Sequence, residues 1–197
     1  MLVNKLKNYK IYLCSISPRR HELLKGMDVE FESLPTHMDE THPEGLTPLE
    51  VAEYLSKHKL SPILFDEYEE QSIFIACDTI VVIDDMIIEK PKNKADALRM
   101  LQLLSGKEHT VISGLTVANK RKSFTSSRTS IVKFKDFTDE ELHYYINKYK
   151  PFDKAGSYGI QEWIGYVGIE YIQGSFYNVM GLPTKLLWEM LDKITKD

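Results

Sequence analysis

Apolar and polar positions fall into blocks that assign most of the chain to strands and helices. The longest apolar run is Ile73-Phe74-Ile75-Ala76-Cys77-Asp78-Thr79-Ile80-Val81-Val82-Ile83. A β-branched run of this length predicts a strand buried on both faces. Asp84-Asp85 then forms a tight turn into Met86-Ile87-Ile88-Glu89, a hairpin closed by Lys90-Pro91. Further strands are predicted at 11–14, 31–34, 109–118 and 129–134. Ser17 as N-cap and Pro18 at the first helical position predict a helix over 18–25, ended by Gly26 in the left-handed conformation. Thr47-Pro48-Leu49-Glu50 is a capping box that starts a helix over 48 to about 61. Asn93 caps a third helix, whose Ala97, Leu98, Leu101 and Leu104 keep helical period until Ser105-Gly106. Thr138-Asp139-Glu140-Glu141 is a second capping box, and a last helix covers 184–193 with Leu187 and Leu191 on its buried face. Residues 120–127 read as a polar connection, while 151–161 and 173–183 read as glycine-containing loops of the kind that often carry function.

This succession of strands and helices around a central hairpin indicates an α/β or mixed α+β fold. With 197 residues, 43% hydrophobic and 27% charged, the chain can build one large domain or two lobes sharing a sheet. No apolar run is long enough to span a bilayer, and the N-terminus lacks the apolar segment and cleavage site of a signal peptide, so a cytoplasmic protein without membrane contact is expected. Cys14 and Cys77 sit inside apolar strand patterns without zinc-ligand spacing and read as buried small hydrophobes. A net charge of −4 argues against a general nucleic-acid surface and leaves room for a local basic pocket.

The candidate chemistry begins with Asp78, because a carboxylate inside a buried strand needs a partner. It is either a strand-end aspartate capping a turn or a metal-binding or catalytic carboxylate. Arg19 and Arg20 lie in the first turn of a helix, where cations oppose the macrodipole. Together with Ser15, Ser17 and free backbone N–H groups they would form a phosphate cradle; the alternative is two solvated arginines. Val51, Leu55 and Lys59 share a helix face at four-residue spacing. Lys59 is thus either a snorkelling surface lysine or an inward point charge for phosphate. Met38-Asp39-Glu40-Thr41-His42 is a polar stretch that defaults to surface loop, with metal binding as the minority reading. His109 has no second histidine at ligand spacing and reads as hydrogen-bonded structure.

Taken in order, Ser15-Ile16-Ser17-Pro18-Arg19-Arg20, Ala76-Cys77-Asp78-Thr79-Ile80-Val81-Val82, Glu89-Lys90-Pro91, Leu104-Ser105-Gly106-Lys107, Asp153-Lys154-Ala155-Gly156-Ser157-Tyr158-Gly159-Ile160-Gln161 and Gly174-Ser175 through Gly181-Leu182-Pro183 form a motif set. It resembles that of the Maf family of nucleoside triphosphate pyrophosphatases, first associated with septum formation, and covers nearly the whole chain. The resemblance implies a single Maf-like domain over 1–197, with an elongated mixed sheet flanked by helices and two lobes enclosing a cleft, a Maf/ITPase-like fold. It implies hydrolysis of a nucleoside triphosphate between its α- and β-phosphates, with Asp78 as proton acceptor and Arg19, Thr79 and Gln161 selecting substrate. It further implies Glu40 as a metal or water-binding carboxylate, phosphate contacts from Ser15, Arg20, Lys59 and Lys90, and a homodimer.

Pro-Arg-Arg, Asp-Thr and the glutamine are similar to the branch acting on dTTP and UTP rather than on 7-methyl-GTP. Two departures stand out: Glu162 occupies the place of a usual glycine, and Ile112-Ser113-Gly114 replaces a threonine-glycine pattern. Glu162 keeps a 7-methyl-GTP or other modified-nucleotide specificity open. A non-enzymatic nucleotide-binding regulator of cell division is a further alternative, with the tyrosine-rich C-terminal third as an interface or, more simply, as core aromatics. The chemistry of the residues agrees with the enzyme. A triphosphate needs guanidinium and ammonium groups plus a divalent metal such as Mg²⁺ or Mn²⁺, which Asp78 and Glu40 could hold with waters and phosphate oxygens completing the shell.

Overall fold

Strand β1 (Lys10–Leu13) pairs in parallel with both β2 (Glu32–Ser33) and β3 (Ser72–Ile83), with Ile11 opposite Ile73 and Leu13 opposite Ile75. The structure, a computed structural model, describes residues 1–36, 38–39 and 41–196. Every residue of β3 is buried except the half-buried Thr79, as a strand covered on both faces requires. Asp84 and Asp85 take φ of +48° and +61°, the pair of left-handed residues that a type I′ hairpin turn needs, and β3 folds back onto β4 (Met86–Ile88). With β5 (Glu108–Ala118), β6 (Ser123–Phe134) and β7 (Ile169–Gln173), these form one mixed seven-stranded sheet in the order β2-β1-β3-β5-β6-β7, with β4 also on β3.

The helices follow their caps. They are α1 (Leu2–Leu6), α2 (Pro18–Lys25), α3 (Pro48–His58), α4 (Lys94–Leu104), α5 (Asp139–Tyr149), α6 (Trp163–Gly168), α7 (Phe176–Met180) and α8 (Thr184–Ile194). Thr47 and Thr138 both form reciprocal capping boxes with the glutamate three residues on, and Asn93 accepts from the Asp96 N–H at 3.0 Å. Among the described residues no helix is long and apolar enough to cross a membrane.

The chain divides into two compact units, one made of Met1–Asp78, Ser113–Arg128 and Gly181–Asp197, the other of Thr79–Ile112 and Thr129–Met180. In the first, Tyr12, Cys14, Leu60, Phe74, Ala76 and Ala118 form a buried cluster, with Tyr12 stacked on Phe74 at 5.1 Å. In the second, Phe134, His109 and Tyr158 form an aromatic group with centroids 4.9–5.4 Å apart.

Several expectations are corrected. Residues 123–127 are not connection but the first half of β6; only the turn at 119–122 is, where Asn119 Oδ1 accepts from the Arg121 and Lys122 N–H groups. The loop expected at 173–183 contains α7. Helix α3 ends at His58, so Lys59 is its C-cap residue. Gly26 stays right-handed at φ −64°, and Asp28 takes the positive φ instead. Strand β2 is two residues long rather than the four expected at 31–34.

Candidate active site

The loop after β1 is drawn tight by its own hydroxyl. Ser15 is buried, and its Oγ accepts from the Ser17 N–H at 3.2 Å and from the Arg20 guanidinium at 3.3 Å. Arg20 also donates through Nε to the Gly181 carbonyl at 2.8 Å. Gly181 has a φ of +116°, a backbone region that L side chains avoid. The same carbonyl accepts from the Cys77 thiol at 3.3 Å. Next along β3, Asp78 meets Lys59, whose ammonium donates to Asp78 Oδ1 and to the Cys77 carbonyl, the latter at 3.3 Å. Ser15, Arg20, Lys59 and Asp78, spread over more than sixty residues of sequence, are thereby joined in one hydrogen-bonded chain inside the first unit, with Arg19 half-buried beside it.

The Lys59–Asp78 pair is largely desolvated, with side-chain exposures of 16% and 8%. At such burial, removing either partner leaves the other charge unpaired against its desolvation cost. Cys14 in the same unit has its thiol pushed up to about 12 by burial alone, so it supplies no thiolate at neutral pH.

The second unit holds Thr79, Lys90 and Gln161. Lys90 is exposed at the end of the β4 segment, which the Gly156 N–H ties to the glycine loop through a 3.2 Å bond to the Glu89 carbonyl. Gln161 closes that loop, and its Oε1 is buried with no hydrogen-bond partner among the described residues. Beside it stands a network that the sequence reading did not anticipate. Tyr145 donates to the Glu162 carboxylate and accepts from the Gly159 N–H at 3.0 Å, and Lys154, only 7% exposed, bridges Asp153 at 2.7 Å and Glu162 at 3.3 Å. A lysine among small residues followed eight positions later by an acid was the only signal for it.

Glu40, expected as a second metal carboxylate, lies outside the described residues. Among those described, no three His, Cys, Asp or Glu side chains stand together as a metal cluster. His109 is structural: its Nε2 meets the Tyr158 hydroxyl at 2.7 Å, and burial pushes the imidazole down to about 4.

A family profile described as Maf-like protein matches residues 10–194. The chain belongs to the Maf family. Among its relatives, the dTTP/UTP pyrophosphatase of Porphyromonas gingivalis is 44% identical over 193 residues, 96% of each chain. That of Phocaeicola vulgatus is 45% identical over 197 residues, covering 98% of this chain and all of the relative. The dTTP/UTP pyrophosphatase of Thermosipho africanus is 46% identical over 182 residues, 92% of each chain.

One departure from the Maf pattern, Glu162, has a local explanation. Glu162 is committed to Tyr145 and Lys154, so its carboxylate braces the loop that ends in Gln161. Gly114 sits where α3 approaches β5 so closely that a Cβ would lie 1.9 Å from the Ala52 carbonyl oxygen.

Proposed function

We propose that this Maf chain hydrolyses dTTP and UTP to the nucleoside monophosphate and pyrophosphate, with residues 1–197 acting as one Maf-like domain. The observation that carries this reading is the buried Asp78 carboxylate, held by Lys59 and joined through Cys77 and Gly181 to Arg20 and Ser15. Relatives 44–46% identical over nearly the whole chain bear the name dTTP/UTP pyrophosphatase, which supports it.

In this reading Arg19, Arg20, Lys59 and Lys90 neutralise the phosphates, and the Ser15 hydroxyl fixes one phosphate oxygen. When a phosphate draws the Lys59 ammonium to itself, Asp78 Oδ1 is released from its ion pair and becomes a proton acceptor. A water oxygen attacks the α-phosphorus, the bond to the α,β-bridging oxygen breaks, pyrophosphate departs with that oxygen, and Asp78 takes the water's proton.

A divalent cation, Mg²⁺ or Mn²⁺, fits this donor set: such ions take one or two protein carboxylates and fill their shell with water and phosphate oxygens. Asp78 is the described carboxylate available to it, with Glu40 the second by resemblance. The ion would supply charge neutralisation on the leaving pyrophosphate.

Base selection falls to Thr79 and Gln161. The orphaned Gln161 Oε1 would accept the N3–H of uracil or thymine, a hydrogen that cytosine lacks. The engagement of Glu162 by Lys154 and Tyr145 supports keeping it out of the base pocket, and so favours the pyrimidine over the 7-methyl-GTP assignment. The working unit is a homodimer by the same family resemblance, a state that sedimentation velocity measures, and a cytoplasmic location follows from the sequence reading of the N-terminus and apolar runs. Pyrophosphate release from a panel of dTTP, UTP, CTP and 7-methyl-GTP, with and without Mg²⁺ or Mn²⁺, tests the function. Preference for dTTP and UTP with the metal supports it, whereas nucleotide binding without turnover would make the chain a regulator.

A further inference from the structure

A cavity of about 580 Å³ opens within the first unit, between the C-terminal turn of α3 and the β5–β6 turn. Its size is that of small-molecule sites, which run from about 300 to 1,000 Å³. One wall is aromatic: Tyr54 and His58 stack on each other at 5.5 Å and 14°, and Phe65 stands nearby with its edge against Phe74 at 5.1 Å. Leu60 and Ala118, both from the buried cluster, form its floor.

The remaining lining combines four cations with the neutral polar residues Ser61, Thr116, Asn119 and Ser123. Lys57 comes from α3, and Lys120, Arg121 and Lys122 come from the turn, while among the described residues no Asp or Glu lines the space. Arg121 is occupied by Glu70 at 2.7 Å and Lys122 by the Lys196 carbonyl at 2.7 Å. Among the described residues neither Lys57 nor Lys120 has an ion-pair partner. A protein with a net charge of −4 has thus gathered four cations around an aromatic platform, of which, among the described residues, Arg121 alone is paired with an acid. Planar rings stack on such platforms irrespective of their hydrogen-bonding edge, and paired ammonium groups recognise phosphate as point charges.

We propose that this cavity is a second ligand site, for an aromatic anion of nucleoside monophosphate size, with the base laid on the Tyr54–His58 stack and the phosphate between Lys57 and Lys120. It is separate from the reaction site. Lys59, one residue beyond His58, turns instead to Asp78, so the last turn of α3 serves both places. A bound anion would restrain the backbone that carries Lys59, which gives the site a route to influence turnover. The proposal stands whichever triphosphate is hydrolysed.

The test is titration of the full chain with AMP, ribose 5-phosphate and adenosine, followed by amide NMR signals of His58, Asn119 and Ser123. AMP should shift all three saturably, and the two fragments should bind at least about tenfold more weakly, since each lacks either the ring or the charge. The double variant Lys57→Glu with Lys120→Glu should weaken AMP by about tenfold or more while pyrophosphate release without AMP is unchanged. Tyr54→Ala provides the same comparison if the double variant does not fold. Equal affinity for ribose 5-phosphate, AMP binding undiminished in the folded variants, or no saturable shift at these residues overturns the proposal.

Discussion

Lys59, the residue that caps α3, donates its ammonium to Asp78 in the middle of β3, and both groups are largely removed from water. Each is therefore the other's buried charge partner. Lys59→Met should lower unfolding free energy by about 3 kcal/mol, because the Asp78 carboxylate is left buried and unpaired. The double variant Lys59→Met with Asp78→Asn should recover most of that loss. Urea unfolding of the unsubstituted protein, both single variants and the double variant measures it, and an additive double variant would contradict the coupling.

Asp78→Asn should keep the fold and lose pyrophosphate release by at least ~100-fold, the usual contribution of a positioned base. Turnover near that of the unsubstituted protein would remove Asp78 from its role. Circular dichroism on the same sample separates this outcome from unfolding.

Gln161→Ala should affect the base more than the reaction. An unsatisfied buried acceptor paired with the N3–H of uracil contributes roughly 1–3 kcal/mol, so kcat/KM for UTP should fall about 10- to 100-fold while that for CTP changes little. Equal losses for both nucleotides would defeat the assignment.

His109 makes stability depend on pH. In the unfolded chain its imidazole takes a proton near the ordinary value of 6.5, whereas in the folded protein, buried against Phe134 and bonded to Tyr158, it does so only at about 4. The unfolded state binds more protons between these values, so stability falls as pH drops from about 6.5 toward 4 and is indifferent to this group above that window. The loss should reach roughly 3 kcal/mol, and His109→Gln should flatten the slope in urea midpoints across that range.

Gly114→Ala should destabilise by roughly 2–3 kcal/mol, since the added methyl cannot be placed without moving α3 from β5. A thermal melt is enough to see it.

What could be read from the chain follows from how local each signal is. Both threonine capping boxes, the Asn93 cap and the double-aspartate turn are short-range chemistry and appear where expected. Only the second half of strand β6 is legible in the sequence, because Ser123, Thr125 and Ser127 break the apolar alternation. Thr125 instead bonds the Thr116 hydroxyl at 3.0 Å, and Ser127 donates to Glu53 at 2.8 Å, so polar side chains satisfy the strand from its neighbours. Helix α7 is five residues long and is held by Asn178, which donates to the Val111 carbonyl and Ser130 hydroxyl, partners far away in sequence.

For the site, residue type singled out Asp78, Lys59 and the two arginines, but not how they are joined. The joint is the Gly181 carbonyl, and a backbone oxygen leaves no mark in a sequence beyond the glycine that aims it. The Lys154–Glu162–Tyr145 brace was hidden for a related reason: a buried lysine reads as a surface one until its acid is found.

The most direct measurement is the fate of the oxygen from water. With UTP, Mg²⁺ and ¹⁸O-labelled water, attack at the α-phosphorus places one label in UMP and none in pyrophosphate. Label in the pyrophosphate, or release of inorganic phosphate in its place, would contradict hydrolysis at the α-phosphorus with Asp78 as proton acceptor.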